Sequence, residues 1–152
     1  MPTTQPDPYD LQRFVDAQEG SYQQALAELR AGRKRSHWIW YILPQIQGLG
    51  SSAMSRRYAI GSLAEARAYL AHPILGARLR ECVAAVNAHE GISALEIFGS
   101  VDAAKFRSCC TLFAEVAGTE KVFAEALNKY FAGKPDTATL AILAAQKGRG
   151  EA

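Results

Sequence analysis

From Leu29 to Ala64 the chain has no acidic residue, although Arg30, Arg33, Lys34, Arg35, Arg56 and Arg57 all fall within that stretch. The gap leaves positive charge uncompensated, which suits an anionic ligand or a solvated basic face. Cysteine is scarce: Cys82, Cys109 and Cys110 are an odd set with two neighbours adjacent. That excludes a disulfide framework, offers no zinc-ligand spacing, and fits buried free thiols in a reducing cytosol. No apolar run approaches the length of a membrane span, and Met1 to Asp10 has neither a basic region nor an apolar stretch of the secretory kind. A cytoplasmic protein without a membrane partner is expected. The net charge of +2 is too small to argue for nucleic acid. The excess is local, because residues 1–80 carry ten Lys/Arg against six Asp/Glu and residues 81–152 carry seven against nine. No P-loop ending, Ser-His-Asp order, catalytic carboxylate pair or metal motif is present, and neither a metal nor a cofactor is implied.

Sustained alternation is also missing, while helix caps and alanines are abundant. The pattern predicts an all-α fold, a compact single-domain bundle of about seven to nine short helices. Residues 1–8 read as a tail, 9–146 as the domain and 147–152 as a frayed end. Asp10 is expected to cap a first helix, Gly20-Ser21 to break it, and Gly32 to end the continuation. Ser36 is expected to cap a short helix through Leu43, ahead of Pro44. Ser62-Leu63-Ala64-Glu65 and Ser93-Ala94-Leu95-Glu96 read as capping boxes. Pro73 suits the first position of a helix carrying Leu75, Leu79, Cys82, Val83 and Val86. Gly99 should end one short helix, Ser100 or Asp102 should cap the next, and Gly118 should close it. Thr119 and Asp136 should cap the last two helices.

Both tryptophans, Trp38 and Trp40, sit in the acid-free stretch, after His37 and before Pro44, Gln45 and the loop Gly48-Leu49-Gly50-Ser51-Ser52. On a helix, two positions are separated by about 200 degrees, so one indole can face the core and the other a cleft. The glycine loop and Arg56 could hold an anion, although a plain connector is the simpler reading. A second polar cluster places Asp102, Lys105 and Ser108 on one ridge of a helix, where an acid, a cation and a hydroxyl could meet a cleft. His72 and His89 suit helix ends.

The segments Asp7 to Val15, Ser36-His37-Trp38-Ile39-Trp40 through Gly50, Tyr58-Ala59-Ile60, His72 to Gly76, Phe98 to Lys105 and Thr111-Leu112-Phe113 resemble one bacterial domain family of unknown function. Its members often carry the label "calpastatin". The His-Trp-x-Trp-x-x-x-Pro-Gln block is the most specific part of the match, which spans about residues 7–145. The resemblance implies a mostly helical single domain and no established activity. The calpastatin label does not fit physically, because inhibitory segments of that protein are disordered, whereas this chain has apolar helical stripes that make their own core. A looser likeness, through the Trp-rich segment with its Gln, the Asp-x-x-Lys helix start and Phe123, Ala126, Leu127 and Phe131, is to small helical N-glycosidases of ADP-ribose-type or riboflavin-pathway ribosides. Ser36-His37 lacks the Glu of their Ser-Glu-His segment, so no catalytic residue carries over.

The function expected from the sequence is binding of a small anionic, phosphorylated nucleoside-like ligand. His37, Trp38, Trp40, Gln45, Gly48, Gly50, Ser51, Arg56, Asp102, Lys105 and Ser108 are the candidate residues. Trp38 or Trp40 would stack on a ring, Gln45 would read a polar edge, and the loop with Arg56 would hold phosphate. Asp102 or His37 could then act in hydrolysis of that ligand; one alternative is an N-glycosidase-like hydrolase of ADP-ribose-type ribosides, with no catalytic residue assigned. The other alternative is a non-catalytic protein-interaction module. A concave cleft with converging polar groups favours the ligand, and a flat aromatic patch favours the protein partner.

Overall fold

The computed structural model describes residues 6–116 and 120–149, and their elements are all helical. They are α1 (Gln12–Gln18), α2 (Tyr22–Ala31), α3 (Ile39–Ile42), α4 (Ala53–Arg57), α5 (Leu63–Ala71), α6 (Leu75–Asn87), α7 (Ala94–Val116), α8 (Val122–Phe131) and α9 (Thr137–Gly148). The all-α expectation is met. Among the described residues, β-type pairing is limited to an isolated parallel bridge between Ile46 and Ile60, which closes the segment that holds the glycine loop and α4. The expected caps at Gly118 and Thr119 lie outside the described residues, as do the first five and last three residues of the chain.

Helix ends follow local chemistry. Gly32 ends α2 with φ 78° in the left-handed region. The Ser62 hydroxyl accepts from Glu65 N at 3.1 Å, and the Glu65 carboxylate reaches back to Gly61 N at 2.9 Å, one residue earlier than a strict capping box. Ser93 and Asp136 accept from Glu96 N and Thr139 N in the same way. Two expected caps are corrected. The carboxylate at the start of α1 belongs to Asp7, which accepts from Leu11 N and Gln12 N, while Asp10 turns to φ 50°. Ser36 does not cap α3, because its N–H and hydroxyl both go to Glu28. At α6 the capping acceptor is the His72 ring nitrogen Nδ1, taking Ile74 N and Leu75 N, with Pro73 between them.

α7 packs against α5, α8 and α9, and α6 packs against α2, α5 and α8. α5 and α8 are therefore shared neighbours that join the two longest helices. Through this centre runs a chain of rings: Phe14 on α1 meets Tyr69 on α5 edge-on at 5.1 Å, Tyr69 meets Phe113 on α7 at 5.4 Å, and Phe113 meets Phe123 on α8 at 5.7 Å. All four are fully buried, each contributing about 1.5–3 kcal/mol of apolar burial. Cys82, Cys109 and Cys110 are free thiols in the same core. Burial pushes the Cys82 thiol up to about 12 and raises the other two, so these sulfurs act as packing atoms rather than nucleophiles. Among the described residues, no helix is long and apolar enough to cross a membrane.

Candidate functional site

After α2, the acid-free stretch continues through residues 33–38, whose side chains alternate in exposure. Lys34, Ser36 and Trp38 turn inward, and Arg33, Arg35 and His37 are exposed. Glu28 fixes this register from α2. Its buried carboxylate accepts from Arg35 N at 2.7 Å, Ser36 N at 2.9 Å, Ser36 Oγ at 2.6 Å, Trp38 Nε1 at 3.0 Å and Gln24 Nε2 at 2.7 Å. Burial alone would raise the Glu28 pKa. The hydrogen bonds from Ser36, Gln24 and the Arg35 and Ser36 amides outweigh it and bring the pKa down to about 2.

Lys34 carries the segment across to α7. Its N–H donates to Ile97 O at 2.7 Å, and the ammonium of its side chain, which is 6% exposed, meets the Asp102 carboxylate at 2.8 Å. The same ammonium lies 5.0 Å from the Trp38 ring centre. Trp38 is 1% exposed, so the first indole belongs to the core.

Trp40, two residues further on, faces the other way and is only part-buried. Lys105 places its ammonium 5.3 Å from the Trp40 ring centre and 3.8 Å from Asp102 Oδ1. The indole N–H of Trp40 is buried without an acceptor among the described residues. Beside it, α7 and the chain from Gln45 to Ser55 enclose a cleft of about 310 Å³, with Gln45, Lys105, Ser108 and Asp136 on its walls. Gln45 Nε2 donates to the Ser108 hydroxyl, which donates in turn to Lys105 O at 3.0 Å. Asp136 is engaged as the cap of α9. A narrower recess of about 20 Å³, lined in part by Trp40, Gly48, Arg56 and Tyr58, adjoins the cleft through Gln45, Gly50 and Ser55. At Gly50 an added Cβ would stand 2.5 Å from Ser55 Oγ, so the junction of the two spaces tolerates no side chain without a shift.

The arrangement can be set beside known proteins. A family described as "Protein of unknown function (DUF1810)" matches residues 8–143. The chain belongs to this family. A solved structure, the crystal structure of the conserved hypothetical protein Rv1873 from Mycobacterium tuberculosis, is similar at 51% identity and a TM-score of 0.90, covering 91% of this chain and 99% of that one. No curated protein matches the chain.

In this DUF1810 chain, residues far apart in sequence come together: Gln45, Gly50, Lys105 and Ser108 share the cleft, and Trp40, Gly48 and Arg56 share the adjoining recess. Other sequence candidates fall elsewhere. Trp38 is corrected to a core residue whose N–H is already taken by Glu28. His37 and Ser51 are exposed and line neither space. Asp102 stands behind Lys105, held by Lys34, rather than open to the cleft. The glycine loop leads into α4, but that helix has only five residues and its first turn is already capped by Ser52, which accepts from Ser55 N at 3.1 Å. Sequence reasoning missed Glu28 and the buried pairing of Lys34. The one signal for Glu28 is its place as the last acid before the gap. Among the described residues, no group of three His, Cys, Asp or Glu is placed to hold a metal ion.

Proposed function

We propose that this DUF1810 protein binds a small anionic, phosphorylated nucleoside-like ligand in the cleft between the Gln45–Ser55 chain and α7. The observation that carries the reading is convergence. A cation from Lys105, an amide from Gln45 and a hydroxyl from Ser108 line one concave space, with the Trp40 indole and Arg56 in the recess that opens from it. Lys105 and Arg56 supply charge for phosphate, Gln45 and Ser108 supply polar contacts, and Trp40 supplies a face for a planar ring. A concave cleft with the core tryptophan withdrawn supports a small ligand over a flat aromatic docking patch. The reading is one of binding and includes no hydrolytic step, because Asp102 is engaged by Lys34 and His37 stands outside the cleft. We place the protein in the cytoplasm, which suits its three buried free thiols.

The test is thermal unfolding against nucleotides, ADP-ribose and sugar phosphates. A ligand at about 100 times its Kd stabilises the native state by about 2.7 kcal/mol and raises the melting temperature. Arg56→Ala should keep the fold, since the residue is exposed, and should weaken binding by roughly 1.5–3 kcal/mol, tenfold or more. Absence of any shift in the parent protein across the panel removes the reading.

A further inference from the structure

Lys105 occupies an unusual place in the proposed site. Its side chain lines the cleft of about 310 Å³, while its ammonium lies over the Trp40 ring at 5.3 Å. Trp40 lines the recess but not the cleft, although the two spaces share Gln45, Gly50 and Ser55. Lys105 thus stands between the larger space and the indole. Its other partner holds it weakly: Asp102 Oδ1 is 3.8 Å away, and the opposite oxygen of that carboxylate is already bound by the buried Lys34 at 2.8 Å. The Lys105 side chain retains 23% exposure, against 6% for Lys34. One lysine is fixed and neutralised; the other carries its charge on a flexible stem, in contact with a ring and a distant, shared carboxylate. An anion entering the cleft competes directly for that ammonium, because a charge-assisted contact at hydrogen-bond distance exceeds a cation–ring contact.

We propose that Lys105 is a movable cover on Trp40: the anionic group of a ligand draws the ammonium off the indole into the cleft, and the uncovered ring then receives the planar part of the same ligand. This rests on the binding reading above and deepens it, making anion and ring recognition coupled rather than independent. A phosphorylated planar molecule is then preferred over either half by more than the sum of the halves. The ligand class is set by the pairing of one mobile cation with one aromatic face.

The experiment reads the accessibility of Trp40 by acrylamide quenching of tryptophan fluorescence, with inorganic pyrophosphate as the anion at constant ionic strength. Trp38, at 1% exposure, supplies the emission that stays unquenched, and Trp40→Phe identifies the quenchable part. Lys105→Ala should raise the quenching constant of that part roughly twofold or more, since the stem and ammonium no longer cover the ring. Pyrophosphate should produce a similar rise in the parent protein and in Lys105→Arg, and no further rise in Lys105→Ala. Equal quenching of Lys105→Ala and parent overturns the cover. A pyrophosphate-induced rise in melting temperature with unchanged quenching overturns the displacement while leaving the binding reading in place. Lack of any pyrophosphate effect on melting or quenching, with Lys105→Ala uncovered, overturns the anion step and counts against the binding reading itself.

Discussion

Glu28 shows how much one buried carboxylate can organise. Its folded pKa of about 2 lies below the ordinary value of 4.5. A depressed pKa means that the stabilisation is fully present above the unfolded pKa and is lost as pH falls through the folded one. The window is therefore about pH 4.5 down to about pH 2. Across it, the carboxylate should contribute roughly 2–4 kcal/mol at neutral pH. Glu28→Gln keeps the shape but replaces one acceptor oxygen with a donor facing the Ser36 hydroxyl and nearby N–H groups. Urea unfolding at pH 7 should show a loss of roughly 2–4 kcal/mol, and the gap between variant and parent should hold down to about pH 4.5 and narrow below it, toward pH 3. A gap that stays constant between pH 7 and pH 3 would contradict an ionised, hydrogen-bonded Glu28.

At the scale of the element, α7 is the helix that carries Asp102, Lys105 and Ser108, and its geometry depends on Gly99. This residue has φ 81° and ψ 167° inside an otherwise helical run. The kink turns Phe98 back over Phe106, and their rings stack at 4.8 Å with 23° between planes. An added Cβ at Gly99 would meet nothing within 4 Å. Any cost of Gly99→Ala is therefore backbone strain, about 1–3 kcal/mol in a region almost closed to other residues. Gly148 also has open space around an added Cβ, without positive φ, and is the last residue of α9. Gly148→Ala should instead be neutral or stabilise by up to about 1 kcal/mol. Chemical denaturation should show a loss for Gly99→Ala and no loss for Gly148→Ala; a neutral Gly99→Ala would mean the kink can straighten.

Across the whole molecule, Arg13 is the main tie between the N-terminal helix and the segment that walls the site. Its guanidinium donates to Arg57 O at 2.9 Å, Ala59 O at 2.8 Å and Glu65 Oε2 at 2.9 Å, and also to Tyr9 O and Asp10 O. The ion pair is well covered, with side chains 15% and 9% exposed. Arg13→Met leaves the buried Glu65 carboxylate without its cation and should cost about 3–5 kcal/mol. The double variant with Glu65→Gln should cost less than the two single losses added, by at least about 1 kcal/mol. Strict additivity in equilibrium unfolding would show that the pair does not act as a unit.

The sequence by itself determined the helical class, because apolar spacing, the serine capping boxes and Gly32 are local signals read within one turn of chain. It also marked the acid-free stretch and the Asp102–Ser108 ridge as the places to look. What it left open was decided by contacts between distant residues. Two positions of spacing indicated that Trp38 and Trp40 face apart, but Glu28 and Lys34 chose which indole is buried. Asp10 and Ser36 were plausible caps by composition, yet Asp7 supplies the carboxylate at α1 and the Ser36 hydroxyl is drawn to Glu28. The acid-free stretch is bounded by Glu28 and Glu65, and both turn out to be buried carboxylates that pin its two ends. Nothing local distinguishes them from surface glutamates, since a carboxylate's burial depends on which donors the fold delivers to it. The cleft is likewise a product of tertiary structure: Gln45 and Ser108, 63 residues apart, meet in its wall.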